Sequence, residues 1–247
     1  MNRVKITLSY DGTLFHGWQI QPNDRTVQGE VQKALSQLFG TEMHVFGCSR
    51  TDAGVHAKKF VCHTDLPKPF PLDKLPFALN AMLPYDVSIK KAESVSDDFH
   101  ARFSCTGKTY SYYLHNARIR DPFQKHRAGF WPTPLNAERM DAFAKQFIGR
   151  HDFASFMATG SVIEDTVREI VSFDVKREGD MIVFTVCGNG FLYNMVRIMV
   201  GTLIYADVGR LDRSISDIIT AKDRTLAGIT VSPQGLYLEE PCFEPIV

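Results

Sequence analysis

The chain has 247 residues, room for one large domain or two small ones at about 150 residues per domain. At 44% hydrophobic and 23% charged it has a globular balance, which excludes wholesale disorder and a fibrous repeat. Its 28 basic residues equal its 28 acidic ones, so bulk charge cannot hold a nucleic acid, although a local basic surface still could.

Residues 4–10 (VKITLSY) alternate and predict a strand that runs into the turn signal Asp11-Gly12. Over 27–39, Val27, Val31, Leu35 and Leu38 share one helical face, with Thr26 as N-cap. Residues 43–48 and 58–64 read as two strands flanking a tight polar loop. Four prolines (Pro67, Pro69, Pro71, Pro76) mark 65–76 as a connector, followed by a short helix near 73–81 and a strand near 86–95. Residues 104–114 alternate and are aromatic, which predicts a strand. Asn136 caps a helix with Met140, Phe143, Ala144, Phe147 and Ile148 on one face. Strands near 167–177 and 181–187 bracket the turn Glu178-Gly179-Asp180. Gly188-Asn189-Gly190 opens a helix over 191–206; a small helix near 214–221 and a strand near 235–239 follow. The mixture predicts an α+β fold with a largely antiparallel sheet.

Five cysteines (Cys48, Cys62, Cys105, Cys187, Cys242) are scattered without a C-x-x-C pair, against a disulfide framework or a cysteine-rich zinc site. The start MNRVKITLSYDG has no apolar signal segment, and the apolar stretch 191–206 is shorter than the ~20 residues of a membrane span. The expectation is a soluble, reducing, cytoplasmic protein.

Charge gathers over 101–127, where Arg102, Lys108, Arg118, Arg120, Lys125 and Arg127 face the single acid Asp121. Phe103, Tyr110, Tyr112, Tyr113 and Phe123 are interleaved with them. Cations bind phosphates and flat rings stack on bases, so the mixture suits RNA. A strand with one solvated and one core face has the same composition.

Gly47-Cys48-Ser49-Arg50-Thr51-Asp52-Ala53-Gly54-Val55-His56-Ala57 is rich in small residues and follows an expected strand. Asp52 on such a loop could act as nucleophile or base, and Arg50 and Asp52 sit two apart. A surface Asp–Arg pair around an Asx-turn is the plainer reading. In FLYNMVRIMVGTLI, apolar residues cover nearly every face of the helix, so Arg197 either snorkels or needs a carboxylate or phosphate partner, with Asp52 a candidate. The chain has no Walker loop, no G-x-G-x-x-G, no H-E-x-x-H, no G-x-S-x-G elbow and no paired ligand spacing among its eight histidines.

The ordered runs YDGTLFHGWQIQPNDRTVQGEVQKAL (10–35), CSRTDAGVHA (48–57), DDFHARFSCTGKTYSYYL (97–114), NGFLYNMVRIMVGTL (189–203), TAKDRTLAG (220–228) and GLYL (235–238) cover essentially the whole chain. Together they resemble the TruA family of tRNA pseudouridine synthases, with R-T-D-A-G-V-H the most specific run. Ser49 stands where many members have glycine before the arginine; Arg50, Thr51 and Asp52 are intact.

The resemblance implies isomerisation of uridine to pseudouridine at positions 38, 39 and 40 of the tRNA anticodon stem-loop, with no cofactor or metal. It implies Asp52 as the catalytic carboxylate, Arg50 as the group that displaces the target base, Tyr110 as the ring packed on the uracil, and Arg197 as the partner of the carboxylate. Arg102, His100 and Lys108 would join Arg50 and Tyr110 in binding substrate. It further implies a homodimer whose two subunits both contact tRNA. The implied fold is two similar α/β halves, 1–103 and 104–247, joined across an extended antiparallel sheet with flanking helices and a central cleft. A non-catalytic RNA-binding protein, and a hydrolase using Asp52 with Asp11, are the alternatives to this reading.

Overall fold

The computed structural model describes residues 2–161 and 163–245. In chain order the elements are β1 (Asn2–Tyr10), α1 (Val27–Phe39), β2 (Phe46–Gly47), β3 (His56–Leu66), α2 (Leu75–Asn80), β4 (Val87–Ser94), β5 (Gly107–Asn116), β6 (Gly129–Trp131), α3 (Ala137–Ala144), β7 (Gly149–Asp152), β8 (Val167–Glu178), β9 (Met181–Gly188), α4 (Met195–Asp207), α5 (Ile215–Ala221) and β10 (Leu236–Cys242). They form two compact units, Met1–Thr106 with Tyr237–Glu244, and Gly107–Leu236 with Pro245–Val247. Each mixes helices with mostly antiparallel strands, as an α+β fold requires. No helix among the described residues is long and apolar enough to cross a membrane.

In the first unit, β1 lies between β3 and β4, antiparallel to both, with Ile6 opposite Cys62 and Ala92. Its alternation buries Val4, Ile6, Leu8 and Tyr10 on one face. β2 pairs with β3 at Phe46↔His63, and β10 adds a parallel pairing at Tyr237↔His56. The Thr26 side chain caps α1 by accepting from the Gly29 N–H at 3.3 Å, and Gly40 ends the helix in the left-handed conformation. The cap contributes about 1 kcal/mol, whereas each fully buried Val or Leu contributes about 1.5–3 kcal/mol. Burial of Val27, Val31 and Leu35 therefore decides where α1 sits. Leu38, expected on that face, is only half-buried; Ala34 and Phe39 take the buried places. The strand expected over 43–48 shrinks to Phe46–Gly47, the two residues in ladder register with β3, while His44 and Cys48 meet that strand through single hydrogen bonds to Thr64 and Val61.

In the second unit the strands run β5-β9-β8-β7, antiparallel throughout, with β7-β8-β9 a meander, β5 beside β9, and β6 parallel to β5. Ile182, Phe184 and Val186 of β9 and Ile170, Phe173 and Val175 of β8 fill its core. The strand expected over 104–114 starts later, at Gly107, and runs on to Asn116. α3 tightens into a 3-10 turn at Lys145–Phe147, which rotates Ile148 out of the expected buried face and leaves it 40% exposed.

α4 begins four residues later than the 191–206 pattern predicts, because Asn194 is left-handed (φ 59°) and cannot continue a helix backwards. Ten of its 13 residues are buried, so it is a core helix rather than a surface one. Gly201 lets the following loop close on it: a Cβ there would lie 1.9 Å from the Ile229 carbonyl oxygen. The Thr202 hydroxyl accepts the Gly228 N–H at 2.9 Å and donates to the Ile198 carbonyl.

Candidate active site

The Asp52 loop is irregular backbone between β2 and β3, and irregular backbone must find its hydrogen bonds outside a ladder. Segment 11–26 supplies them. The Trp18 N–H donates to the Thr51 carbonyl at 3.1 Å, and the Gly54 N–H donates to the Phe15 carbonyl at 3.2 Å. Two glycines of that segment allow the approach. A Cβ on Gly17 (φ +84°) would stand 2.3 Å from the Thr51 oxygen, and one on Gly12 would stand 2.0 Å from the Val55 oxygen. Behind the loop, Gly47 leaves room for the Trp18 ring, which stacks on Phe60 at 4.0 Å.

Thr51 is buried and its hydroxyl is 2.7 Å from the Tyr10 phenol oxygen, at the end of β1. Asp52, next to it, is half-buried; its carbonyl accepts the Val55 N–H at 3.2 Å and closes the Ala53-Gly54 turn. Arg50 is exposed and has no carboxylate partner among the described residues. The arrangement is a carboxylate carried on a hydrogen-bonded backbone, beside an exposed arginine. His56 closes the loop's far end: its Nδ1 accepts the buried Gly12 N–H at 3.0 Å, and its ring stacks on Tyr237 at 4.5 Å.

His100 and Arg102 belong to the same unit, on the turn-rich stretch before β5. The His100 ring is 4.3 Å from the Phe103 ring, and the Arg102 guanidinium lies 5.9 Å from the same ring. Burial, and then the nearby Arg3 charge, lowers the His100 pKa.

Lys108, Tyr110 and Arg197 lie in the second unit. Lys108 is half-buried at the start of β5, opposite Gly188. Tyr110 is buried, and the Phe191 ring meets it nearly perpendicularly at 5.2 Å. Arg197, in the first turn of α4, is half-buried, neither snorkelling nor sealed. Its Nε donates to the Val231 carbonyl at 2.7 Å and another guanidinium nitrogen to the Asn194 side-chain oxygen at 2.6 Å. The left-handed Asn194 thus serves both as the start of the helix and as a brace for the cation. Tyr112 is buried; burial pushes its phenol up to about 12, so it stays neutral and donates to the Ser232 carbonyl at 3.0 Å.

Spacing had marked Arg50, Thr51 and Asp52 but not their supports. Tyr10, Gly12, Gly17 and Trp18 lie far from them in sequence, in the run 10–35 that carries part of the family resemblance. Val231 and Asn194 were likewise silent as partners of Arg197. Among the described residues, no group of three His, Cys, Asp or Glu side chains could hold a metal ion.

A family model described as tRNA pseudouridine synthase matches residues 6–104 and 143–244, more than half of the chain and including Asp52 and Arg197. A tRNA pseudouridine synthase A of Ruminiclostridium cellulolyticum is 48% identical over 240 residues, covering 96% of this chain and 98% of that protein. The protein of that name in Bacillus subtilis is 44% identical over 239 residues, covering 96% and 97%. The chain therefore belongs to the tRNA pseudouridine synthase family, whose members are isomerases acting on RNA.

Proposed function

We propose that this chain isomerises uridine to pseudouridine at positions 38, 39 and 40 of the tRNA anticodon stem-loop, with Asp52 as the reacting carboxylate. The observation that carries the proposal is the loop itself: Asp52 sits on backbone held by Trp18, Phe15 and the Tyr10–Thr51 hydrogen bond. A reacting group must be held to a fraction of an ångström, and a surface Asp–Arg pair has no need of such support.

The reaction breaks the N1–C1′ bond and joins C5 to C1′, so every atom is retained and no redox partner or activated donor is called for. As N1–C1′ breaks, its electron pair leaves with the uracil. Asp52 answers in one of two ways: its carboxylate bonds to C1′, or it removes the 2′ proton and leaves a glycal. The uracil then turns and C5 bonds to C1′, displacing the carboxylate in the first route, or, in the second, adding to the glycal as Asp52 returns the proton to C2′; the C5 proton is lost to water, and N1 takes up a proton. The target base must first leave its stack, which costs a few kcal/mol. Arg50, exposed and without a carboxylate partner among the described residues, fills the vacated place and holds phosphate.

Tyr110 forms a flat wall that keeps the freed uracil in place while it rotates. Phe191, edge-on to Tyr110, fixes the ring's plane. Arg197, braced by Val231 and Asn194, supplies the positive charge that keeps the carboxylate ionised. His100, Arg102 and Lys108 bind the surrounding RNA. On the same reading the protein is a cytoplasmic homodimer that needs no cofactor.

Tritium at uridine C5 tests the proposal. The wild-type protein is expected to release it to water from tRNA, and Asp52→Asn is expected to lose at least ~10³-fold in rate while still binding tRNA. Undiminished release by Asp52→Asn would remove Asp52 from the chemistry. Strand cleavage or free uracil in place of release would make the chain a hydrolase, and binding without release would make it a binding module.

A further inference from the structure

One cluster in the first unit adds Phe46, His63 and Phe103, which have no role above, to His100 and Arg102, read above only as general RNA contacts. The Phe46 ring stacks on the His63 ring at 5.1 Å with planes 24° apart, and His63 is buried. His100 meets His63 at 4.6 Å and Phe46 at 5.7 Å, and Phe103 covers His100 at 4.3 Å. The result is a patch of four rings whose inner member is His63 and whose outer members are bare: Phe46 is 52% exposed and Phe103 78% exposed. Two large exposed apolar rings, each packed against His100, need an explanation that a single exposed one does not.

The backbone under the patch is fixed. The Ala101 N–H donates to His63 Nδ1 at 3.1 Å and the Ser104 N–H to the His100 carbonyl at 2.8 Å. Arg3 donates to the Phe99 carbonyl at 3.1 Å, and its own charge is answered by Asp65 at 2.8 Å. Arg102 is different. It is exposed, lies against the Phe103 ring, and has no carboxylate partner among the described residues. An uncommitted cation beside bare aromatic faces suits a nucleotide, whose base stacks and whose phosphate takes the charge. An apolar protein partner would leave Arg102 with nothing to bind.

We infer that Phe46 and Phe103, with Arg102 at their edge, form a stacking platform for one unpaired nucleobase of the RNA, separate from the base that reacts. The inference rests on the RNA-modifying reading above and adds a second base-binding place to it. Phe46 stands six residues before Asp52, so the chain between them spans at most about 20 Å. The stacked nucleotide is therefore a near neighbour of the reacting one.

The test uses the whole protein and anticodon stem-loop RNAs carrying the fluorescent base 2-aminopurine at each unpaired loop position in turn. With wild type, binding should quench one position strongly. Phe103→Leu and Phe46→Leu keep the apolar bulk but not the flat face; each should abolish that quenching and weaken binding about five- to hundredfold. Phe103→Trp should restore both. Circular dichroism and urea midpoints equal to wild type identify the variants as folded.

Leucine variants that quench and bind as wild type does overturn the platform. A changed oligomeric state with unchanged RNA binding also overturns it and makes the patch a protein contact. Wild-type tritium release separates this result from the parent reading: quenching without release supports the platform but removes the isomerase, and release without quenching does the reverse.

Discussion

The Asp52 loop and the α4 helix both present a charged side chain, and they hold it by opposite means. α4 is positioned by apolar burial on nearly every side, and Arg197 is steadied by two oxygen acceptors at its N-terminal end. The Asp52 loop has little regular structure and is held by backbone hydrogen bonds to segment 11–26 and by the Tyr10–Thr51 contact. Burial is non-directional and large, so it confers stability; hydrogen bonds are directional and individually small, so they confer position. Damage to α4 should therefore appear first in stability, and damage to the loop first in activity.

Gly201→Ala should produce the largest stability change. Its Cβ would collide with backbone at Ile229 rather than with a flexible side chain, so a loss of about 3 kcal/mol is expected in urea denaturation. Activity per folded molecule should fall much less than the folded fraction does. Gly17→Ala should show the reverse balance. The new methyl would meet the Thr51 oxygen in a backbone conformation unfavourable to alanine, and a shift of about 1 Å at Asp52 lowers the rate ~10²-fold. Its stability loss, about 1–3 kcal/mol, should be no larger than that of Gly201→Ala. If the two variants lose rate and stability in the same proportion, the contrast between the regions is wrong.

Tyr10→Phe sharpens the point by removing one hydroxyl beside Thr51. A stability loss of about 1 kcal/mol, with a larger fractional loss in tritium release, is the expected outcome of paired measurements. A last effect concerns pH and stability alone. Burial, with the nearby His100 and Arg3 charges, lowers the His63 pKa to about 4, against about 6.5 in the unfolded chain. The unfolded state thus binds the proton first. Stability from this group is full above pH ~6.5 and falls as pH drops through the window from 6.5 to 4. The unfolding free energy from urea denaturation should fall by about 2 kcal/mol more between pH 7 and pH 5 in wild type than in His63→Asn.

Regular elements were legible where one face alternates or repeats. β1, α1, β8 and β9 follow from the placing of Val, Ile, Leu and Phe, because burial alone decides them. The strand expected over 43–48 failed because pairing depends on a neighbour 17 residues away (Phe46 with His63), which no local pattern encodes. The start of α4 was missed because Asn194 adopts a conformation that only its surroundings make worthwhile. In the candidate site, the loop's residues stood out by composition, but the brace did not. Tyr10 and Thr51 are 41 residues apart, and a hydroxyl pair leaves no periodic trace. Phe46 reads as part of the expected strand 43–48 and Phe103 as one aromatic of the basic run 101–127; their exposure appears only once the chain is folded.

The first unit includes Tyr237–Glu244, whose β10 pairs with β3 and whose Glu240 meets Lys59 across 181 residues of chain. On a ribosome adding about 5–20 residues per second, that strand emerges roughly 10–40 s after its neighbour. The amino-terminal unit must wait through that interval with one sheet edge uncovered, while the other unit is synthesised in full. Assembly of the molecule is thus not a simple progression from first residue to last, and a nascent chain halted before Tyr237 would carry its defect in the part made earliest.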